Sequence, residues 1–343
     1  MVSYRVHTLL PAFPSHQAEP WAISQRGIVV GASVGLSDSR TPTRWPPPRA
    51  SEIPGSALSG DGTAWGVNDK GRVVGCLGDI NRANRTKTCG NPMPTDAFWY
   101  DSAAGVLHNL SPLIGSQFQS AASDINEKGV LVGWTGTTEP RAFSYDTATW
   151  GALPVYLGLV PGYPVTFATA INNSGQVVGT ALDPGSGERR LFLYESGAML
   201  DLGEVSEVWD ISDYGVIVGG RHFGGGTKGA AFTYDSRAKA PGFVDLGTLP
   251  GCNESWALGI NRYGDIVGWA DKGLNDSRAF LYANGTMQAL DAQIVSPPQL
   301  NWTLMQGIAI NDEGYIVARG TVQNVTSKGI GPALPVSVLL VPE

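Results

Sequence analysis

Residues 257–268 read ALGINRYGDIVG: an apolar run, an Asn-x-x-Gly corner and a second apolar run that ends on glycine. Six more versions of this pattern occur along the chain, at residues 21–31, 65–75, 123–133, 169–179, 209–219 and 308–318. Their corner glycines are separated by 44, 58, 46, 40, 49 and 50 residues, which is the range of propeller-blade repeats. The repeat therefore predicts one closed array of seven units rather than two ordinary domains.

Each repeat predicts four short strands, which we call A to D in chain order. Strand A alternates apolar and small residues, and the corner after it begins with Asn or Ser and ends with a glycine able to take positive φ. Strand B is a Val-Val-Gly or Ile-Val-Gly run, strand C is aromatic, as in residues 97–100, and strand D resembles residues 199–203. In the first repeat, the proline-rich residues 41–62 are predicted to replace strands C and D.

The two ends of the chain are incomplete and complementary. Residues 4–10, YRVHTLL, precede the first repeat and predict an isolated D strand, whereas the last repeat supplies A, B and a C-like strand at 336–341. Pairing the two would remove an exposed sheet edge. We therefore expect an all-β fold: one seven-bladed β-propeller over residues 1–343, made of four-stranded antiparallel blades, with blade 7 shared between residues 3–10 and 304–343.

The amino-acid composition limits the classes of binding partner that are expected. The 45 glycines indicate many tight turns, and the net charge of -7 provides no basic stripe for phosphates, so no nucleic-acid partner is expected. No apolar run approaches the length of a membrane span, so no membrane partner is expected. The sequence leaves open whether two copies form a homodimer.

Eight asparagines lie in Asn-x-Ser/Thr sequons, whereas chance predicts about two. This excess predicts a glycoprotein of the secretory-pathway lumen or a secreted protein. The alternative is that asparagine and serine or threonine recur together because both favour β-turns. The predicted glycosylation sites are Asn84, Asn109, Asn253, Asn275, Asn284, Asn301 and Asn324. Met1 is followed directly by a strand-like segment, so we expect any signal peptide to be missing from this sequence.

The chain has three cysteines, too few for a disulfide framework. Cys76 and Cys89 lie in one inserted segment, with twelve residues between them, and are predicted to form a single bridge. Cys252 would then be unpaired. No CxxC pair is present, so no metal site is expected.

The functional site is expected on the face with variable connections. The A-B and C-D turns are uniform, whereas the B-C and D-A connections vary in length and chemistry and emerge on the opposite face. We therefore expect an aromatic or hydrophobic small molecule to bind at that mouth of the central channel. Trp21, Trp65 and Trp209 occupy one repeated position in strand A and are expected to pack between blades instead.

The strand A, B and C motifs together resemble the HAF-type repeat of extracellular proteins, which is named for a His-Ala-Phe at the start of its third strand. This chain has Asp, Arg or Ala in place of the histidine, so no role for that histidine is carried over. With its dense sequons, the chain is similar to fungal pericyclases of natural-product biosynthesis. Those enzymes join a tropolone-derived quinone methide to a humulene-type sesquiterpene by an intermolecular hetero-Diels-Alder reaction.

The resemblance implies an enzyme without a cofactor, whose pocket holds both reactants together. His222 with Arg221, or Glu207, would then be catalytic and aid the loss of water that unmasks the quinone methide. The residues expected to bind substrate are Trp134, Trp256, Trp269, Phe167, His16, Glu19, Gln306 and Arg319. The alternative is a secreted lectin-like or protein-binding propeller with no catalytic activity; its repeated sites are harder to reconcile with loops that differ from blade to blade.

Overall fold

Seven antiparallel sheets arranged as the blades of a propeller make up the fold. The computed structural model describes residues 2–35, 39–47, 52–54, 56–58, 61–78, 95–115, 119–222, 229–273, 276–295, 299–326 and 329–343. Strand A is the innermost strand, since each strand A contacts strand A of both neighbouring blades, and strand D is the outermost. The all-β, seven-bladed prediction is confirmed.

The first six blades each take strands A to D in chain order. In blades 1 to 3, strands A, B, C and D are Gln17–Ile23, Val29–Val34, Arg40–Trp45 and Ser56–Ala57; Gly62–Val67, Arg72–Leu77, Asp96–Asp101 and Val106–Asn109; and Ser120–Ile125, Val130–Thr135, Arg141–Asp146 and Val155–Tyr156. In blades 4 to 6 they are Val165–Ile171, Val177–Leu182, Arg189–Glu195 and Ala198–Glu204; Glu207–Ile211, Val216–His222, Gly229–Asp235 and Phe243–Asp245; and Glu254–Ile260, Ile266–Asp271, Ser277–Ala283 and Thr286–Ala289.

Blade 7 closes the ring with strands from both ends of the chain. Its strands A, B, C and D are Leu300–Ile310, Ile316–Thr326, Leu334–Pro342 and Tyr4–Leu10. Tyr4 lies opposite Pro342 and Thr8 opposite Val338, so the N-terminal strand completes this blade as predicted. Two short strands extend the sheet: Glu52–Pro54 beside strand D and Gly329–Ile330 beside strand B.

Blade 1 corrects one prediction. Part of the proline-rich segment does form strands C and D, because Thr41, Thr43 and Trp45 alternate along a strand that pairs with strand B. Trp45 is fully buried, and its indole N–H donates to the Leu10 carbonyl at 2.6 Å. One tryptophan thus anchors the blade that lacks the aromatic repeat.

The glycine of strand B and the phenylalanine of strand C are cross-strand partners, which explains why the two motifs recur together. Gly179, for example, lies opposite Phe192, whose ring is fully buried. A Cβ at Gly179 would lie 2.0 Å from the Phe167 carbonyl oxygen and 2.7 Å from Phe192 Cζ. Glycine is therefore required for strands A, B and C to approach this closely. The other pairs are Gly75 with Phe98, Gly133 with Phe143, Gly219 with Phe232, and Gly268 with Phe280.

The A-B corners join each blade to the next. At most corners an asparagine accepts backbone N–H bonds of its own turn, and its side-chain amide donates to the corner of the following blade, as Asn126 does to the Asn172 carbonyl at 3.2 Å. Blade 5 has Ser212 instead, and there the Asp210 carboxylate accepts the N–H of Ile260 in blade 6 at 3.0 Å. The other amide bonds run from Asn68 to Asn126, Asn172 to Ser212, Asn261 to Asn311, and Asn311 to Ser24.

Helical structure is minor. In the described ranges it comprises a four-residue α-helix, Ser111–Ile114, and a 3-10 turn, Asp291–Gln293. Neither is long enough to cross a membrane.

Candidate functional site

Strand A carries a β-bulge at the same place in all seven blades. In blade 5, Val208 pairs with Gly219 and Asp210 pairs with Val218, so Trp209 is left without a partner on strand B. A bulge re-aims the extra side chain and increases local twist. The bulged residues in blade order are Trp21, Trp65, Ser123, Thr169, Trp209, Leu258 and Ile308.

The bulged residues narrow the central channel. Trp21, Trp65 and Trp209 line a cavity of about 120 Å³ there, together with Leu258 and Ile308. Trp65 does pack between blades, against Ala121 and Trp134 of blade 3, as expected, and all three tryptophans also line this cavity. We call the seven bulged residues the bulge ring.

Most residues predicted at the mouth lie in one of two places. Some are on strand A, two residues before the bulged residue, and the others are on strand B, opposite that position. Glu19 faces Ala32, Phe167 faces Thr180, Glu207 faces Gly220, Trp256 faces Trp269, Gln306 faces Arg319, and Ala121 faces Trp134. Different blades therefore place chemically different side chains at equivalent positions. The structure brings most of these residues to one level of the channel but divides them into three groups.

The first group is aromatic and extends from blade 1 to blade 4. Trp65 and Trp134 are almost fully buried and share a cluster against which Trp21 and Phe167 pack. The Trp134 and Phe167 rings meet edge to face, with centroids 5.5 Å apart. We call Trp21, Trp65, Trp134 and Phe167 the aromatic cluster.

The second group lies at blades 5 and 6. Trp256 stacks on Trp269 with centroids 6.0 Å apart and an interplanar angle of 20°. Trp256 also covers Gly220 and Gly229 of blade 5, since a Cβ at Gly220 would lie 2.0 Å from the Trp256 ring. Because these two glycines have no side chains, the Trp256 indole can pack directly against their backbone.

Glu207 sits between these two groups, on blade 5. Burial raises the pKa of its carboxyl above the ordinary value of 4.5, and the charge of Arg189 and the nearby indole N–H of Trp209 partly oppose the shift. A carboxyl group with a raised pKa, beside a channel, is a candidate proton donor. Glu207 is therefore the best placed of the predicted catalytic residues.

The other two predicted catalytic residues do not join Glu207. Gly220, not Arg221, lies opposite Glu207, and neighbouring residues of a strand point to opposite faces. The Arg221 guanidinium packs over Phe243 of the outermost strand, 4.1 Å from the ring centroid. His222 is exposed at the end of strand B. These positions give no support to a His222 and Arg221 pair acting on the same atom as Glu207.

The third group lines a separate cavity of about 380 Å³ between blades 7 and 1, where His16, Glu19, Arg40 and Arg319 meet. The Glu19 carboxylate accepts from Arg40 and from Arg319, the latter at 2.9 Å. Arg319 also lies over the Trp21 ring, 4.8 Å from its centroid, and so links this cavity to the aromatic cluster.

Several polar atoms near the bulge ring are buried without a hydrogen-bond partner among the described residues. They include the indole N–H groups of Trp21, Trp134 and Trp256 and the hydroxyl of Ser123. A buried polar group without a partner costs free energy, so such atoms are suited to meet a ligand oxygen. Sequence analysis missed Trp21, Trp65 and Trp209 as residues that line the channel; their shared offset from the corner asparagine or serine was the available signal.

The predicted covalent sites differ in their surroundings. Cys76 is disulfide-bonded and Cys252 is a free thiol, whereas Cys89 lies outside the described residues, as do Asn84 and Asn275. Of the other predicted glycosylation sites, Asn109 is half-buried and donates to Asp96, whereas the rest, Asn253, Asn284, Asn301 and Asn324, are exposed. The described ranges contain no group of three or more His, Cys, Asp or Glu residues able to hold a metal ion.

Comparison with known proteins supports the fold only. No protein-family model matches the chain, and no curated protein matches it either. Among solved structures, a prolyl endopeptidase superposes with a TM-score of 0.60 at 12% identity, covering 98% of this chain and 47% of that chain. A puromycin hydrolase S511A mutant gives 0.55 at 14%, covering 94% and 54%. This chain therefore spans about half the length of these two enzymes.

The β-propeller domain of the Trilobed protease from Pyrococcus furiosus is similar over its whole length. Its TM-score is 0.52 at 8% identity, covering 93% of this chain and 97% of that domain. That domain is described as having an open velcro topology, whereas here the N-terminal strand closes blade 7. At such identities the likeness establishes a propeller and carries no activity to this chain.

Proposed function

We propose that this propeller is a cofactor-independent pericyclase. It would join a tropolone-derived quinone methide to a humulene-type sesquiterpene by an intermolecular hetero-Diels-Alder reaction. The observation that carries the proposal is the aromatic cluster at the bulge ring, with the half-buried carboxyl of Glu207 on the next blade. This combination suits two largely apolar reactants and one proton transfer.

The first contribution of the site is proximity. Fixing two partners in reactive geometry can lower the barrier by roughly 7 to 11 kcal/mol. Phe167 is half-buried and packs edge to face on the buried Trp134, with centroids 5.5 Å apart, so the rest of its ring can receive a flat tropolone. Trp256 with Trp269, both half-buried, offers a second apolar surface for the terpene. The geometry thus supplies one surface for each reactant.

The second contribution is dehydration. Glu207 in its protonated form donates to the departing hydroxyl of a hydroxymethyl tropolone, so the C–O bond breaks and water leaves. The ring hydroxyl then loses its proton to the Glu207 carboxylate, which restores the acid and yields the quinone methide. The raised pKa of Glu207 favours the protonated form needed for the first step.

The third contribution is stabilisation of charge in the cycloaddition. One C–C bond and one C–O bond form between the heterodiene and the terpene alkene, and no atom leaves. Negative charge develops on the quinone methide oxygen, where a fixed N–H donor lowers the barrier. The indole N–H groups of Trp21 and Trp134, which lack partners among the described residues, are suited to this role.

The asymmetry of the mouth favours an enzyme over a multivalent binding module. Equivalent positions carry Glu19, Phe167, Glu207, Trp256 and Gln306 in different blades, so the mouth does not repeat one site seven times. A lectin-like propeller with repeated sites would need the same side chains in several blades. One central site is the simpler interpretation.

The test is turnover of a hydroxymethyl tropolone precursor mixed with a humulene alcohol, with the cycloadduct quantified by mass spectrometry. We expect Trp134→Leu and Trp209→Leu to lower the enzyme-dependent rate by about 100-fold, since each removes stacking or positioning at the reacting centre. Trp150→Leu is the matched control, because Trp150 lies in the C-D turn of blade 3 with 51% of its surface exposed.

A second experiment distinguishes the dehydration step from the cycloaddition. Chemically released quinone methide should restore the rate of Glu207→Gln but not that of Trp134→Leu. The proposal fails if the wild-type protein gives the same rate and product distribution as buffer, or if Trp150→Leu loses as much activity as Trp134→Leu. Multivalent binding on a glycan array without turnover would instead support the binding module.

A further inference from the structure

A cavity of about 480 Å³ lies in the outer part of blade 6, apart from the central channel. Its lining includes Leu249, Pro250 and Cys252 from the connection after blade 5, Met287 and Ala289 from strand D, and Gln293 from the 3-10 turn. Cavities that bind small molecules are typically of this size, mostly apolar, with few polar groups. This cavity has those properties.

Gln293 is the unusual member of the lining. Only 6% of its surface is exposed, and its side-chain Nε2 is buried without a hydrogen-bond partner in the part of the chain that the structure describes. Buried amides almost always have partners, because an unmet donor loses its hydrogen bonds to water. Rotation of the amide so that Nε2 faces the cavity would let a ligand oxygen meet this need.

Water alone is a poor occupant of this space. A buried water needs two to four polar partners, whereas the cavity floor is built from Leu249, Met287 and Ala289. The charged side chains Lys272, Arg278 and Asp291 pair with one another or with Asp276, so waters over the apolar part of the lining would find few free partners. An apolar molecule with a single oxygen matches the lining better.

The charges at the rim indicate a neutral ligand. Arg278 pairs with Asp291 at 3.3 Å and with Asp276 at 3.4 Å, and Lys272 pairs with Asp276 at 3.8 Å. Both cations that line the cavity therefore have carboxylate partners. An anionic headgroup would have to compete with these carboxylates.

We propose that this cavity binds a neutral, apolar small molecule with one hydrogen-bonding oxygen, such as a terpene or long-chain alcohol, whose oxygen accepts the Gln293 amide N–H. The site is independent of the channel and of the activity proposed there. Its apolar lining holds the hydrocarbon, and Gln293 selects for the oxygen.

Cys252 is a natural reporter of occupancy. It is a free thiol that lines the cavity and is partly exposed, so it reacts with maleimide, but slowly, since burial raises the pKa of its thiol. Cys76 is disulfide-bonded and does not compete. The rate of N-ethylmaleimide addition at Cys252, followed by peptide mass, measures access to the cavity.

The experiment compares the full chain with farnesol, with farnesene, which lacks the hydroxyl, and with no ligand. Saturating farnesol should slow alkylation of Cys252 at least tenfold, and farnesene should protect several-fold less. Gln293→Leu keeps the side-chain size and removes the donor, so farnesol should then protect no better than farnesene. Its empty form should also melt at a higher temperature than the wild type, because the unmet amide is gone.

Two variants complete the test. Gln288→Leu is the matched control, since Gln288 lines the same cavity but is exposed, and it should keep the preference for farnesol. Ala289→Phe fills the cavity and should abolish protection, which tests the site even if Gln293→Leu fails to fold. The proposal is overturned if no compound slows alkylation in the wild type, or if Gln293→Leu retains the wild-type preference for farnesol.

Discussion

The two ends of strand A differ in what repeats. At the corner end, asparagine or serine recurs in all seven blades, and its side chain bonds its own turn and, where it is asparagine, the next blade. At the mouth end, five blades carry Glu19, Phe167, Glu207, Trp256 and Gln306 at one position. The same strand therefore serves as scaffold at one end and as site at the other.

The bulge marks the boundary between the two ends. On the corner side of the bulge, strands A and B resume their pairing and enter the corner. On the other side, the paired residues face the mouth. The bulge ring belongs to both regions, because its position is fixed in every blade but its residues are not. A fixed bulge in each blade lets a uniform scaffold carry five different residue types, Trp, Ser, Thr, Leu and Ile, at one position.

Overpacking strand B should break the scaffold and have the largest effect. Gly179→Ala places a Cβ 2.0 Å from a backbone oxygen, so we expect a loss of at least about 3 kcal/mol in the free energy of unfolding, or failure to fold. Urea denaturation measures it. The matched control is Gly242→Ala, where a Cβ meets nothing within 4 Å, and a change within about 0.5 kcal/mol is expected there.

Breaking one corner should cost less. Asn126→Ala removes the amide bond to blade 4 and leaves two turn N–H groups without their acceptor, so a loss of about 2 to 3 kcal/mol is expected by urea denaturation. Asn126→Ser restores the acceptor that Ser24 and Ser212 supply naturally and should recover about half of that loss. Full recovery of stability in Asn126→Ser would contradict an inter-blade role for the amide.

The pH dependence of folding stability tests the environment of Glu207 at the mouth. Because the pKa of Glu207 is raised in the folded state, the folded protein retains a proton that the unfolded chain has already lost. The stability of the wild type relative to Glu207→Gln should therefore be highest below pH 4.5 and fall as pH rises through the raised pKa. Melting temperatures between pH 4 and 8 test this; Glu204→Gln, on an exposed strand end, should give no such trend.

The smallest effect concerns the surface. Asn284 lies exposed in the C-D turn of blade 6, whereas Asn172, also in a sequon, is 3% exposed and donates to the Ser212 carbonyl. After expression through a eukaryotic secretory pathway, peptide mass should show a glycan at Asn284 and none at Asn172. Thr286→Ala should remove the Asn284 glycan with a stability change within about 0.5 kcal/mol. A glycan at Asn172 would be incompatible with the corner described here.

The sequence predicted the parts of the fold that depend on repeated residues. The corners, the Gly and Phe positions of strands B and C, and the shared blade 7 all follow from side chains that recur. The bulge does not, because it is a shift in backbone pairing and the bulged residue is Trp, Ser, Thr, Leu or Ile in different blades. Trp21, Trp65 and Trp209 were therefore assigned to blade packing.

Two further differences between the predictions and the structure have local causes. Arg221 is predicted to act with His222, as an alternative to Glu207, because it lies at a strand end, but the register places Gly220 opposite Glu207 and Arg221 packs over Phe243. Residues 40–45 were not predicted as a strand, because prolines and a missing phenylalanine hide the alternation of Thr41, Thr43 and Trp45. Register and single anchoring contacts are not readable from one sequence.

A crystal structure with the cycloadduct bound would test the central claim most directly, that the mouth end of strand A is the working end. We predict the ligand on the mouth side of the bulge ring, in contact with Trp134 and Trp209 and with an oxygen accepting an indole N–H. A ligand in the polar cavity of about 150 Å³ that Asn126, Asn172 and the other corner residues line would contradict it.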